Sequence, residues 1–349
     1  MIYKTLDHWR GVAALWVMIF HGYCLFLSTP NFISENLLFL HWLSSHGWFG
    51  VHLFFVISGY CITANLAAAQ DKKLTTTTFI CSRLLRIFPV YWCALASQVI
   101  LIVVSSPFNK GSLQYALPAN FEPWFASLLL IEPYLKISSL LLVSWSLVYE
   151  WGFYILMAAG LFMLRRRIHG NLIYLIGFLL ALAGLAGYSS GLLFVLKFWP
   201  EFFAGVSTFI VCQSLNKMRK TAMILILLLL PIFLAWREGL SPRAYMMIGA
   251  SGFALLLCVL YPWDAVLSSW KPLEWLGKIG VFSYSLYLIH VPFGGAFRNL
   301  CMRFVSEVSP GFLLVQIGYW VFCLFGGAFR NLCMRFVSEV SPGFLMSIS

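Results

Sequence analysis

Ten apolar runs recur along the chain, at about residues 7–27, 47–68, 87–106, 143–164, 171–189, 193–213, 221–236, 243–261, 279–296 and 312–329. Each is close to the ~20 residues that a helix needs to cross a hydrocarbon core roughly 30 Å thick. The runs are continuous rather than alternating, which argues against the strands of a lipid-embedded barrel. In lipid every backbone N–H and C=O must be satisfied within the segment itself, and that selects helices. The pattern predicts an all-α polytopic membrane protein with about ten transmembrane helices. A further run, 124–135, is only about 12 residues long and contains Glu132 and Pro133. That length suits a re-entrant or interfacial segment better than a crossing.

Composition agrees. Of 349 residues 61% are hydrophobic and 10% charged, with a mean hydropathy of +0.87; a soluble domain so composed would expose an apolar surface. The formal net charge of +11 does not imply a nucleic-acid partner, because in a membrane protein the distribution of Lys and Arg between loops is what carries information. With the N-terminus inside, 16 Lys and Arg fall on the inner segments and 7 on the outer ones. This bias places both termini in the cytoplasm. Counting 124–135 as a crossing would put Arg165, Arg166 and Arg167 outside, so charge also favours re-entrance. The nine cysteines show no C-x-x-C pair and lie mostly in apolar runs, where they behave as small hydrophobes. Neither a metal nor a disulfide is expected, nor is a cleavable signal peptide, since the first run lacks a small-residue cleavage site.

Residues Phe293–Leu313 recur identically at Phe325–Leu345, an offset of 32 residues. Two identical copies do not make a solenoid; they read as a recent tandem duplication or a sequence artefact. The expected organisation is a transmembrane domain over 1–329 and a C-terminal tail over 330–349 carrying the second copy, which is given no functional weight.

Polar residues inside the apolar runs are expensive and therefore point to function. Arg10 and His21 lie eleven residues apart in the first run, close to three helical turns, so both face the same way about 16 Å apart. If Arg10 sits at one membrane face, His21 is near mid-membrane. In the second run Ser58, Gly59 and Thr63 are small enough for close helix approach. Arg83 and Arg86, at i and i+3, share a face at the cytoplasmic start of the third run, and guanidinium forks suit phosphate as well as lipid headgroups. Glu150 follows Trp145 and Tyr149 at the start of the fourth run; a carboxylate there needs a partner or a proton. Ser283, Tyr287 and His290 recur at i, i+4 and i+7, making one polar face on an apolar helix. That face either lines a cavity or forms an interhelical seam.

The stretches RGVAA with Arg10 and His21, FFVISGYCIT, RLLRIFPVYW, SWSLVYE and SYSLYLIH stand in the order and spacing of the integral-membrane acyltransferase 3 family, which the chain resembles from about residue 6 to 296. The resemblance implies ten spans and transfer of an acyl group, usually acetyl, from cytoplasmic acetyl-CoA (acyl-CoA) to a glycan or lipid-linked sugar hydroxyl at the outer face. It makes Arg10 and His21 the essential pair, Arg83 and Arg86 the candidates for the CoA phosphates, and Glu150 and His290 supporting polar residues. No metal is implied.

The reading is thus an O-acetyltransferase of a bacterial inner membrane, modifying an envelope polysaccharide such as lipopolysaccharide. His21, Glu150 and His290 are the catalytic candidates, and Arg10, Arg83 and Arg86 hold the donor. Ser283, Tyr287, Trp145 and Tyr149 are weaker candidates for substrate contact. The alternative is a proton-coupled transporter that relays protons through His21, Glu150 and His290; against it, no internal inverted repeat is visible. A chain truncated near Phe325 is expected to match the full chain in activity when both are assayed side by side, and a loss would give the second copy a role.

Overall fold

Apolar side chains all around a helix can be matched only by lipid or by other helices, and the structure answers with helices throughout. The computed structural model describes residues 3–26, 38–72, 75–106, 117–187, 191–301, 304 and 318–319. Among these there is no strand. Thirteen α-helices are described in chain order: α1 Leu6–Phe26, α2 Leu38–Ser45, α3 Gly50–Asp71, α4 Thr76–Ser105, α5 Phe121–Leu129, α6 Glu132–Leu135, α7 Trp145–Arg165, α8 Gly170–Leu185, α9 Trp199–Gln213, α10 Lys217–Glu238, α11 Pro242–Leu260, α12 Asp264–Ser268 and α13 Glu274–Cys301.

Helix occupies each of the first nine apolar runs; the tenth, 312–329, and the second copy of the duplication lie outside the described residues but for 318 and 319. Among the described residues, six helical stretches are long and apolar enough to cross a membrane: Gly47–Asp71, Thr76–Ser105, Leu142–Arg165, Lys217–Glu238, Pro242–Ser268 and Lys271–Cys301. The protein is therefore a multi-pass membrane protein. The helices of the remaining described runs are shorter or more polar. Helix α1 carries Asp7, Arg10 and His21. Helices α8 and α9 have 16 and 15 residues, about 22–24 Å at 1.5 Å per residue, short of the hydrocarbon core.

The ends of the elements also moved. Helix α4 starts at Thr76 rather than near 87, because the polar run before it is helical too: Thr75 Oγ1 accepts from the Thr78 N–H at 3.1 Å and caps the first turn. The arginines Arg83 and Arg86 thus sit within a helix rather than ahead of one. The short run 124–135 is two helices of 9 and 4 residues, α5 and α6, separated by Leu130 in the left-handed conformation at φ 56°. Neither is long enough to cross.

The chain divides into two compact units, one made of residues 1–10, 51–83 and 146–277, the other of 11–50, 84–145 and 278–349. In the first, α3 and α9 meet at glycine. A Cβ on Gly59 would strike the Phe202 carbonyl oxygen, and one on Gly205 the Val56 carbonyl oxygen, so two backbones touch where only hydrogen side chains fit. Beside this crossing Phe153 stacks on Phe202 at 4.4 Å, and Phe55 lies 4.6 Å from the same ring. Arg237 and Arg243 donate to the Leu185 and Gly184 carbonyls at the end of α8, where a helix presents unpaired acceptors and partial negative charge. At the start of the chain Asp264 accepts from the Lys4 N–H at 2.7 Å and from the Thr5 N–H and hydroxyl at 2.8 Å each.

In the second unit, Gly47 and Gly50 lie against the α1 backbone at Trp16 and Ala13, and Trp16 donates to the Leu43 carbonyl at 2.7 Å. Tyr91 donates to the Ser127 carbonyl at 2.6 Å and Trp92 to that of Leu128 at 3.0 Å, which fastens α5 to α4. Tyr284 donates to the Ile87 carbonyl at 2.9 Å, tying α13 to α4.

Gly59→Val should lower the melting point of the detergent-solubilised protein, by the equivalent of about 1–3 kcal/mol for overpacking a tight contact. Gly252, whose added Cβ meets nothing within 4 Å, should tolerate alanine; equal melting of the two variants would contradict the close crossing.

Candidate active site

Two of the three catalytic candidates meet in the second unit. His290 on α13 and His21 on α1 approach to 3.1 Å between His290 Nε2 and His21 Nδ1, with ring centroids 4.8 Å apart and nearly perpendicular. His290 is buried, at 1% exposure. Its Nδ1 lies 2.7 Å from the Tyr287 carbonyl and 3.1 Å from that of Leu286. A carbonyl only accepts, so Nδ1 carries the proton and the Nε2 of a neutral His290 is an acceptor. The contact between the rings then requires His21 Nδ1–H to be the donor, shared with the Val17 carbonyl at 3.0 Å. These tautomers follow from the hydrogen-bond network, and they leave His21 with its lone pair on Nε2. A neutral ring with one nitrogen donating to two acceptors keeps the other as a base able to take a proton.

The remaining polar residues of α13 support this arrangement. Tyr287 is 7% exposed, supplies the carbonyl that fixes His290, and donates its hydroxyl to the Val143 carbonyl at 3.0 Å. Ser283 is buried on the same helix. The i, i+4, i+7 stripe is therefore a packed polar face for Ser283, Tyr287 and His290. Tyr319 donates to the His290 carbonyl at 3.4 Å.

Glu150, the third catalytic candidate, belongs to the first unit. It accepts from Ser58 at 3.3 Å and from Tyr154 one turn further along α7. A carboxyl in an apolar run has thus found two hydroxyl donors. Tyr149 packs its ring on Phe194 and Phe198 at 5.1 and 4.6 Å, and Trp145 is 39% exposed.

The three arginines are not equivalent. Arg10 pairs with Asp7 at 2.8 Å and donates from its other terminal nitrogen to Cys61 Sγ at 3.2 Å, two of the donors of a five-donor group. Arg83 lies over the Phe79 ring, 5.7 Å from its centroid. Arg86 is exposed. Asp7, Ser58, Cys61 and Tyr154 all stand within or beside the motifs read from the chain, but only the fold shows whom each one serves.

Sequence reasoning passed over one pair altogether. His52 on α3 and Glu201 on α9, 4% and 6% exposed, meet at 3.3 Å among the rings of Phe55 and Phe198. The rule that singles out His21 applies equally to both, since each is an ionisable residue in an apolar run.

Among the described residues no three His, Cys, Asp or Glu side chains are grouped to hold a metal ion. Residues 3–329 match the family model described as an acyltransferase domain. No curated protein and no solved structure matches the chain.

Proposed function

The chain belongs to the acyltransferase 3 family, and from that premise we propose that it moves an acetyl group from cytoplasmic acetyl-CoA to a hydroxyl of a cell-envelope glycan or lipid-linked sugar. It would do so as a multi-pass protein of a bacterial inner membrane, with about ten spans and both termini cytoplasmic. The observation that carries the reading is the contact between His21 and His290, because it leaves the lone pair of a neutral His21 on Nε2, the nitrogen that can act as a base.

In this proposal Arg10, Arg83 and Arg86 take the phosphates of the donor, to which guanidinium groups are well matched. Helix α1 runs without a break from Arg10 to His21, a span of about 16 Å, roughly the reach of the pantetheine arm. The thioester then arrives at His21. As general base, His21 Nε2 removes the proton of the acceptor hydroxyl while that oxygen attacks the thioester carbonyl; the C–S bond breaks and CoA departs as the thiol once it regains a proton. As nucleophile, the same nitrogen takes the acetyl group first and passes it to the hydroxyl in a second step. Either way charge builds on the His21 ring. The Val17 carbonyl and His290 Nε2, both already accepting from its Nδ1–H, stabilise that charge as a buried acceptor does in hydrolase triads. Glu150 is a supporting polar residue, and Ser283, Tyr287, Trp145 and Tyr149 shape the substrate surroundings.

Membrane vesicles supplied with radiolabelled acetyl-CoA, followed for label on lipid-linked glycans, test this. His21→Ala should abolish transfer, a loss of about 10²–10⁴-fold or more for a general base, while CoA binding persists; Arg10→Ala should weaken both. Undiminished transfer by the His21 variant would refute the mechanism. Absence of His21-dependent labelling, together with substrate uptake driven by a pH gradient, would favour the transporter instead.

A further inference from the structure

The second unit holds a buried carboxyl that the proposed reaction does not use. Glu132, at the first turn of α6, is 2% exposed. Its Oε1 accepts from the Ser139 hydroxyl at 2.9 Å, and Ser139 in turn lies 2.6 Å from the Ser144 hydroxyl. Each hydroxyl has one proton; that of Ser139 is shared between Glu132 Oε1 and the Leu141 carbonyl at 3.0 Å, so Ser144 is the donor to Ser139. The same segment is held from the other side, where the Leu140 N–H donates to Ser127 Oγ at 3.3 Å and Tyr91 grips the Ser127 carbonyl at 2.6 Å.

Residues 139–144 end in a 3-10 turn, Leu142–Ser144, and one of its atoms bears on the histidine pair. The Val143 carbonyl, next to Ser144, accepts from the Tyr287 hydroxyl at 3.0 Å. The Tyr287 carbonyl accepts from His290 Nδ1 at 2.7 Å, and His290 Nε2 meets His21 Nδ1 at 3.1 Å. Hydrogen bonds, the Val143–Ser144 backbone and the Tyr287 side chain thus connect Glu132 to His290 and His21.

We infer that Glu132 is a positioning residue for the histidine pair: through Ser139, Ser144 and the Val143 carbonyl it holds the Tyr287 side chain, and through Tyr287 the placement of α13 and of the His290 ring that α13 carries. The inference rests on the acyltransfer reading of His21. Glu132 Oε1 supplies the side-chain acceptor at the end of that hydroxyl chain. Its effect belongs to the geometry of the reacting groups and not to donor affinity.

The test is the labelled-acetyl assay on membranes holding equal amounts of each full-length variant. Glu132→Ala should lower kcat by about ten- to hundredfold, the cost of a small misplacement of a reacting group, and leave KM for acetyl-CoA within about twofold. Glu132→Gln, whose amide oxygen still accepts from Ser139, should recover most of the rate. Tyr287→Phe breaks the link downstream, so Glu132→Ala combined with Tyr287→Phe should be no worse than the poorer single variant. Multiplying losses, or a rise in KM without a fall in kcat, would overturn the proposal. If Glu132→Ala does not accumulate, Ser139→Ala cuts the same chain and is read in the same cycle; rates within about twofold of the parent for that variant would also overturn it. His21→Ala in the same membranes keeps the two ideas apart, because its undiminished activity would refute the acyltransfer mechanism whatever Glu132 does.

Discussion

An ionisable group in a medium without water must find its partner inside the protein, and that constraint organises the polar interior of this chain. His21 meets His290, Glu150 meets Ser58 and Tyr154, Arg10 meets Asp7 and Cys61, and His52 meets Glu201. Each pairing satisfies a group that would otherwise make its helix costly to place. The His21 contact does more than satisfy. Because a neutral imidazole has one donor and one acceptor nitrogen, three backbone carbonyls and one neighbouring ring decide which nitrogen of His21 stays basic.

The backbone is subject to the same constraint. The close α3–α9 crossing depends on Gly59 and Gly205, where any side chain would meet a carbonyl. At the end of α8, arginine side chains supply donors for carbonyls that the helix itself cannot pair. These arginines count as charged loop residues in a topology estimate, yet their structural work is local.

Much of the fold was legible in the chain because helix formation in lipid is a local matter. Continuous apolar runs of about 20 residues leave little choice, and helices do occupy the first nine of them. Boundaries were less legible. Helix α4 begins earlier than its apolar run because a threonine cap and a polar first turn are helical without being hydrophobic. Helices α8 and α9 are shorter than the runs that contain them, since the apolar stretch continues past the last turn of α8 and begins before α9, where Gly191–Lys197 is a 3-10 helix. The interruption of 124–135 was visible from its length and its Glu132 and Pro133, but the left-handed Leu130 that divides it was not.

The sequence alone determined the class of the molecule, the helical character of its runs, the identity of its costly residues and, through five ordered motifs, the family. These are properties of composition and of spacing within one element, and they need no knowledge of neighbours. What tertiary structure decided was partnership. That His21 would lie against His290, 269 positions away, that Glu150 would be held by Ser58 and Tyr154, and that His52 and Glu201 would pair at all could not be read from periodicity, which says which face of a helix is polar but not what that face meets. The same holds for Glu132, which read as a misfit in a short apolar run and turned out to end a chain of hydroxyls leading toward the histidines. Hydrogen bonds are directional over about 3 Å, and only the folded chain sets positions to that tolerance.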